Sequence, residues 1–258
     1  MCKYFVQLLK VFVQFVLYSP SKAGNCNIKW YLKALNNSVE YGIKKHKEQM
    51  NIWLRKIRRP ELWLFKEFNL TEAFRVFQTY KKISVVRHPL TRILSAWRDK
   101  LGPPTEQDNE VEKLHFLAYY LQRINGNKNN NSTSISLLQF LRHLVSERHN
   151  SRSFNEHWRP LSSGLCHYCK IDYDFIIKLE SVGEELPLAI RQLTGRNDIR
   201  NILPTHDAIS KAEMFEQLKK IPSSLIFQVL EIYRDDFIMF GYEMPKNEQD
   251  LANIFESK

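Results

Sequence analysis

The chain has 258 residues, of which 43% are hydrophobic, and its formal net charge at pH 7 is +10. This length and apolar content suffice for one substantial α/β core, and the absence of an internal repeat or a proline-rich linker excludes a repeat architecture. The positive charge favours an anionic partner, either a nucleic acid or an acidic polysaccharide, although basic residues also serve solubility.

The first predicted strand covers residues 11–18 and is followed by a loop at 19–29 and a helix from about 27 to 48. This order predicts a phosphate site, in which loop N–H groups and the helix N-terminus would stabilise the phosphate, Gly24 would allow close backbone approach, and Lys22 would add a positive charge. The Gly-Lys-Ser/Thr ending of a Walker A loop is absent, so an ordinary strand-to-helix turn with a surface lysine is the alternative.

Two basic clusters follow at residues 44–47 and 55–59, and helical segments are expected near 61–79. The clusters suit contact with an anionic polysaccharide, or they form solvated helix faces.

A strand at 83–87 then turns directly into a basic helix that extends to about residue 100. Pro89 suits the first helical position, where its missing N–H costs nothing, and His88 is a candidate cap. Arg87 lies at the carboxyl end of the strand, where open α/β sheets bind ligands. This order of residues predicts an anion site.

Along that helix, Arg92, Ser95 and Arg98 recur at spacings of three, which predicts a basic face beside the anion site. The opposite, core side consists of apolar residues: Ile93, Leu94, Trp97 and Leu101. An amphipathic helix with a merely solvated basic face is the alternative interpretation.

Helices are expected near 109–124 and 134–148, with an exposed Asn-rich loop at 125–134 between them. Sequons that could carry glycan in a secretory compartment occur at Asn36, Asn69, Asn130 and Asn131. The rest of the chain predicts a strand near 173–179 and three helices, at 183–194, 208–219 and 222–239. Strands alternating with helices predict an α/β fold, with a mostly parallel central sheet flanked by helices in a single domain over residues 1–258.

Cys166 and Cys169 form a Cys-x-x-Cys pair within the block at 154–180. Zinc needs four ligands, and the nearby His157 and His167 follow no common zinc-finger spacing. Redox activity of the thioredoxin type is disfavoured because the pair precedes a strand instead of starting a helix. A structural disulfide or buried thiols are therefore expected.

Four ordered elements between about residues 17 and 244 resemble the Golgi carbohydrate sulfotransferase family of the chondroitin 4-O and HNK-1 type. They are the lysine-bearing loop at 19–29, the Arg-His-Pro turn and Ser-Ala-Trp-Arg-Asp-Lys helix at 83–100, the His-Trp-Arg-Pro and Tyr-Asp-Phe-Ile-Ile-Lys elements within 154–180, and the closing residues Tyr233–Phe237 and Phe240–Tyr242. The chain is similar to a divergent member, because Asn25, Cys26 and Ile28 depart from the family's loop pattern.

The resemblance implies a P-loop-like fold that binds the sulfate donor PAPS. It assigns Arg87 and Ser95 to the donor's 3′-phosphate, and a guanidinium fork and a hydroxyl are both good phosphate donors. It assigns the 5′-phosphosulfate to the loop residues Lys22, Ala23, Gly24, Asn25, Cys26 and Asn27.

The implied reaction is in-line transfer of a sulfuryl group from PAPS to a sugar hydroxyl. Lys22 would stabilise the charge that develops on the departing phosphate. His157 is the first candidate for the general base and Glu156 the second, while Arg159 would orient an acidic acceptor. The scheme requires no metal.

The resemblance further implies an anionic glycan acceptor, with a chondroitin-type glycan favoured, no nucleic acid partner, and a type II membrane protein of the Golgi lumen. The expected anchor of about 20 apolar residues is not found, because Gln7, Lys10 and Gln14 interrupt residues 4–18. Two alternatives stay open: a catalytically inactive relative that binds the glycan or adenosine 3′,5′-bisphosphate, and a nucleotide-dependent kinase, for which neither a Walker lysine motif nor a metal-binding acidic pair is found.

Overall fold

The computed structural model describes residues 5–6, 15–18, 63–64, 71, 78–79, 81–104, 110–125, 133–163, 168–195 and 211–256. Several predicted features lie outside these residues: the loop at 19–29, the helix at 27–48, both basic clusters, all four sequons, residues 126–132 of the Asn-rich loop, and Cys166.

The strands are β1 Phe5–Val6, β2 Phe15–Tyr18, β3 Trp63–Leu64, β4 Lys81–Val86 and β5 Phe175–Lys178. The α-helices are α1 Pro89–Lys100, α2 Glu110–Asn125, α3 Leu137–Ser146, α4 Val182–Thr194, α5 Lys211–Leu218, α6 Ser223–Ile232, α7 Arg234–Met239 and α8 Glu248–Glu256. Short 3₁₀ segments occur at Arg148–Ser153 and Leu179–Ser181. The chain is thus α/β, with a small parallel sheet and many helices, as predicted.

Two compact units divide the chain, and each is built from two separate parts of it. The first unit comprises Met1–Arg87 and Cys166–His206, and the second comprises His88–Leu165 and Asp207–Lys258. The prediction of a single domain over the whole chain stays a prediction.

In the first unit, β2, β4 and β5 form a parallel sheet in the order β2-β4-β5. Residues 83–86 of the central strand are all buried, as expected for a central parallel strand that is covered on both faces, and three of the four, Ile83, Val85 and Val86, are apolar. The α4 helix ends at Gly195, whose φ of 69° places it in the left-handed region that a helix C-terminus commonly uses.

A second, antiparallel pair joins β1 to β3 in the first unit, with Phe5 opposite Leu64 and Val6 opposite Trp63. The expectation of helical segments near 61–79 is therefore wrong at Trp63–Leu64. Two residues carry too little periodic signal to distinguish a strand from a helix, and here the pairing with a distant segment decides the conformation.

In the second unit, α1 buries its apolar side as predicted, with Ile93, Leu94, Trp97 and Leu101 each at most 6% exposed. The Trp97 indole N–H donates to the Ile135 carbonyl at 2.8 Å, which satisfies its polar group inside the core. The helix expected at 222–239 is interrupted at Tyr233, which separates α6 from α7.

The start of α1 confirms the position of Pro89 but not the predicted cap. His88 stands at the N-cap position, yet its side chain makes no capping hydrogen bond. Its buried ring instead packs edge-on against Phe237 and Tyr242, with 5.2 Å between ring centroids in each pair. His88 therefore fixes the start of α1 to the carboxyl-terminal part of the second unit.

Candidate functional site

The carboxyl edge of the parallel sheet in the first unit carries the first part of the candidate site. Tyr18 lies opposite Ser84, and Val86 lies opposite Lys178, so the carboxyl ends of all three strands meet at one edge. Arg87, which is half-buried, directly follows β4 at this edge. The structure thus places Arg87 where parallel sheets bind ligands.

Two contacts join the residues around β5 to β4. The Ser84 hydroxyl shares a hydrogen bond of 2.6 Å with the Tyr168 hydroxyl. The Asp174 carboxylate accepts from Lys81 Nζ and from the Lys82 backbone N–H, each at 2.8 Å. Burial alone would raise the pKa of Asp174, but these hydrogen bonds and the two lysine charges outweigh it and lower the pKa.

The α1 helix of the second unit carries Ser95, which is half-buried, and Arg92, which is completely buried. The predicted basic face of α1 is therefore wrong at Arg92. Its guanidinium lies inside the unit, 3.7 Å from the Asp236 carboxylate, and so it is not available to an external anion. The buried carboxylate and carbonyl oxygens around it compensate for the loss of water.

Arg92 contacts the backbone of the segment that contains the predicted base. Its Nη1 donates to the His157 carbonyl at 3.3 Å and its Nη2 donates to the Arg159 carbonyl at 2.6 Å. Because Ser95 lies one turn further along the same helix, Arg92 connects the helix of the predicted 3′-phosphate element with the predicted acceptor-side residues.

Two further buried side chains contact the same segment from the junction of α6 and α7. The Tyr233 hydroxyl donates to the Trp158 carbonyl. The Asp236 carboxylate accepts from the Leu161 N–H at 2.9 Å and from the Ser162 N–H at 2.7 Å. Burial raises the pKa of Tyr233, so its hydroxyl stays protonated and remains a donor.

His157 is half-buried, and its ring packs edge-on against Phe116 at a centroid distance of 5.6 Å. Its backbone N–H donates to Asn155 Oδ1 at 3.0 Å. The Arg159 Nε donates to the Phe154 carbonyl at 2.8 Å, so a contact between Arg159 and an acceptor would use the terminal guanidinium nitrogens. Both side chains therefore extend from a turn whose backbone is well fixed.

A cleft of about 580 Å³ is lined by Leu94, Trp97 and Arg98 of α1 together with residues of α3 and α5. None of the predicted site residues lines this cleft. In it, the Arg98 Nη1 donates to the Pro103 carbonyl at 2.6 Å, so Arg98 shares neither the position nor the contacts of Arg92.

Cys169 is exposed and carries a free thiol, so the expectation of a disulfide or a buried thiol is wrong for this residue. The loop that holds it is at the surface, where a thiol needs no partner. Within the described ranges, no three His, Cys, Asp or Glu side chains are grouped as metal ligands. The metal-free scheme stays a prediction.

The structure brings together Glu156, His157 and Arg159 on one turn of the second unit, and it joins this turn to the helix of Ser95. Arg87 belongs to the first unit, and residues 22–27 lie outside the described residues. The sequence predicts an exposed basic face for Arg92 and no contact with the turn for the buried Tyr233 and Asp236. The only available signal was the Tyr-Arg-Asp-Asp-Phe run at 233–237, whose contacts with the turn cannot be read from spacing.

Most of this chain is similar in sequence to known proteins. The sequence profile described as "Sulfotransferase family" matches residues 15–243. Carbohydrate sulfotransferase 12 of Xenopus laevis is 32% identical over 186 residues, which cover 68% of this chain and 42% of the relative. Carbohydrate sulfotransferase 14 of Danio rerio is 25% identical over 91% of this chain and 61% of the relative, and human carbohydrate sulfotransferase 9 is 26% identical over 87% of this chain and 50% of the relative.

The chain spans about half the length of these curated relatives. No solved structure gives a significant match. Among the described helices, none combines the length and the apolar character that crossing a bilayer requires.

Proposed function

The chain belongs to the sulfotransferase family, and on this premise we propose that it transfers a sulfuryl group from PAPS to a sugar hydroxyl of a glycan. The observation that carries the proposal is the position of Arg87, at the carboxyl edge of three parallel strands and directly before the residues that begin α1. A guanidinium at this edge suits a phosphate, which it can bind through two parallel hydrogen bonds.

For the donor, we propose that Arg87 and Ser95 bind the 3′-phosphate and that the loop residues 22–27 bind the 5′-phosphosulfate. PAPS supplies a sulfuryl group bound to a good phosphate leaving group. Lys22 and the N–H groups of its loop stabilise the negative charge that develops on that phosphate as the S–O bond breaks. This charge stabilisation is the main catalytic contribution of the loop.

For the acceptor, the names of the relatives support a carbohydrate, and the net charge of +10 supports an anionic one. We propose a chondroitin-type glycan, with Arg159 contacting an acidic group of the sugar chain. His157 accepts the proton of the attacking hydroxyl as the new O–S bond forms, with Glu156 as the alternative base. The site of action proposed for this enzyme is the Golgi lumen.

The donor part of the proposal is tested by isothermal titration with adenosine 3′,5′-bisphosphate. Replacing Arg87 with Ala removes charge-assisted hydrogen bonds worth about 1.5–3 kcal/mol, which corresponds to about a 10- to 100-fold increase in Kd. Arg191→Ala, which removes an exposed arginine from α4 of the same unit, is the matched control and should leave Kd unchanged. Equal Kd values for all three proteins would refute the role of Arg87.

A second function is supported by the loop sequence itself. Asn25, Cys26 and Ile28 depart from the family's pattern, and Cys26 stands where a hydroxyl donor to phosphate is usual. These departures favour a relative that binds the donor product or a glycan without turnover. Tight binding of adenosine 3′,5′-bisphosphate with no sulfate transfer to any glycan acceptor would support this alternative.

A further inference from the structure

Arg92, Tyr233 and Asp236, hereafter the buried polar cluster, contact the backbone of residues 157–162 through five hydrogen bonds. The carbonyls of three consecutive residues, 157–159, each accept one of these bonds, and the N–H groups of 161 and 162 each donate one. Side chains of the cluster therefore satisfy five backbone groups within six residues, as buried polar groups require.

The members of this cluster are strongly buried: Arg92 and Tyr233 are 0% exposed and Asp236 is 1% exposed. A buried ion pair is a costly way to gain stability, since apolar residues of similar volume often stabilise a core as well or better. What an apolar core cannot do is fix polar backbone groups at defined positions. The chemistry of the cluster therefore favours a positional role over a purely stabilising one.

The position that the cluster fixes is that of His157. The Arg92 bond reaches the His157 carbonyl itself, the Asn155 side chain holds its N–H, and Phe116 packs against its ring. A base must lie within hydrogen-bond reach of the hydroxyl that it deprotonates, and a displacement of 1 Å is costly to the rate.

We propose that Arg92, Tyr233 and Asp236 are positioning residues that fix the backbone of 157–162 and thereby set the location of the His157 ring relative to α1. This inference rests on the proposed function, with His157 as the base. The three residues touch neither donor nor acceptor; they act through the turn that carries the base.

The test compares Asp236→Asn with Asp235→Asn, its exposed neighbour on α7, in sulfate transfer from PAPS to a chondroitin acceptor. Asn keeps the volume of Asp236 but offers only one acceptor oxygen, so one of the two N–H groups loses its partner and Arg92 loses its counter-charge. We expect kcat to fall about 10- to 100-fold, with kcat counted per site that binds adenosine 3′,5′-bisphosphate. The Kd of that ligand and the KM of the acceptor should change less than about twofold, and Asp235→Asn should match the wild type.

A double-mutant cycle that combines Asp236→Asn with His157→Ala distinguishes a positioning role of the cluster from a general loss of folded structure. If the cluster acts through His157, Asp236→Asn has less than about a threefold further effect on kcat once His157 is replaced. The proposal would be overturned if Asp236→Asn lowered kcat by the same 10- to 100-fold in the wild-type and His157→Ala backgrounds. It would also be overturned if the loss of activity disappeared once kcat was counted per donor-binding site. Undiminished turnover of His157→Ala would instead refute the assignment of the base, and the positioning proposal with it.

Tyr233→Phe provides a milder variant in case Asp236→Asn does not fold. It removes only the hydroxyl that donates to the Trp158 carbonyl and keeps the ring in the core. We expect kcat per donor-binding site to fall about 3- to 10-fold, again without a further loss in the His157→Ala background. An unchanged kcat for a folded Tyr233→Phe protein would contradict the proposal.

Discussion

Two aspartates hold backbone in the same way in opposite surroundings. Asp236, in the second unit, accepts two backbone N–H groups and pairs with Arg92, and both side chains are at most 1% exposed. Asp174, in the first unit, accepts one backbone N–H and pairs with Lys81, but their side chains are 23% and 53% exposed. Water can replace the partners of Asp174, whereas nothing replaces those of Asp236.

This difference divides the sequence block at 154–180. Its first part, with the candidate base, is fixed by buried groups that leave little freedom. Its second part, which leads into β5, is fixed by groups at the surface that exchange readily with solvent. The turn that carries His157 is therefore the part of the block whose geometry is most sensitive to substitution.

The largest expected loss of stability follows from removing the Asp236 carboxylate, and removal of the Asp174 carboxylate is the comparison. Asp236→Ala leaves Arg92 as an uncompensated buried charge and should lower the free energy of unfolding by about 3–5 kcal/mol. Asp174→Ala removes a largely solvated pair and should cost about 1 kcal/mol or less. Chemical denaturation of the two variants measures both values. Equal costs would show that the two aspartates do not differ as their exposure indicates.

A matched pair of tyrosine substitutions tests the same contrast with a single hydroxyl. Tyr233→Phe leaves the buried Trp158 carbonyl without its donor and should destabilise by about 2 kcal/mol. Tyr168→Phe removes a hydrogen bond that is buried at Ser84 but partly exposed at Tyr168, and should cost about 1 kcal/mol. Thermal unfolding of the two variants gives the comparison, and a larger loss for Tyr168→Phe would reverse it.

Histidine titration should make the second unit sensitive to mild acid. Burial lowers the pKa of His143, which is half-buried and packs edge-on against Tyr120 with 6.0 Å between the ring centroids. The stability that this neutral histidine contributes is complete above the ordinary pKa of about 6.5 and is lost as the pH falls toward its lower folded-state pKa. The wild-type Tm should therefore fall more than that of His143→Gln between pH 7.5 and 5.5. Parallel decreases in the two proteins would exclude this contribution.

The contribution of Asp174 to stability should change over a separate, more acidic pH range. Because its folded-state pKa is lowered, its contribution is present above the ordinary carboxyl pKa of about 3.9 and is lost as the pH falls through the lower folded value. The difference in Tm between wild type and Asp174→Asn should thus be largest near neutral pH and should shrink below about pH 4. A Tm difference between the two proteins that increases below pH 4 would contradict this prediction.

Local sequence signals were sufficient to predict β4 and the helix α1 that follows it. The apolar run of the strand, Pro89 at the first helical position and the apolar spacing along α1 predict a strand and a helix whose bounds agree with β4 and α1 to within a few residues. The parallel sheet also followed, because alternating strands and helices leave few other arrangements. The roles of Arg87 and Ser95 remain predictions.

The burial of Arg92 could not be predicted, because its spacing from Ser95 and Arg98 is that of a polar helix face. Its counter-charge, Asp236, is far away in the sequence, and a pairing over that distance has no local pattern. The break at Tyr233 has no proline or glycine to mark it. By contrast, α8 is not among the predicted helices, although the helical spacing of Leu251, Ile254 and Phe255 is sufficient to predict it.

The proposed sulfate transfer is tested by incubating the purified protein with labelled PAPS and desulfated chondroitin, with Arg87→Ala in parallel. We expect product that depends on both donor and acceptor, and a strong reduction by Arg87→Ala at donor concentrations below the KM. A folded wild-type protein that binds adenosine 3′,5′-bisphosphate but transfers no sulfate to this or any other glycan would contradict the claim and leave a non-catalytic binding protein.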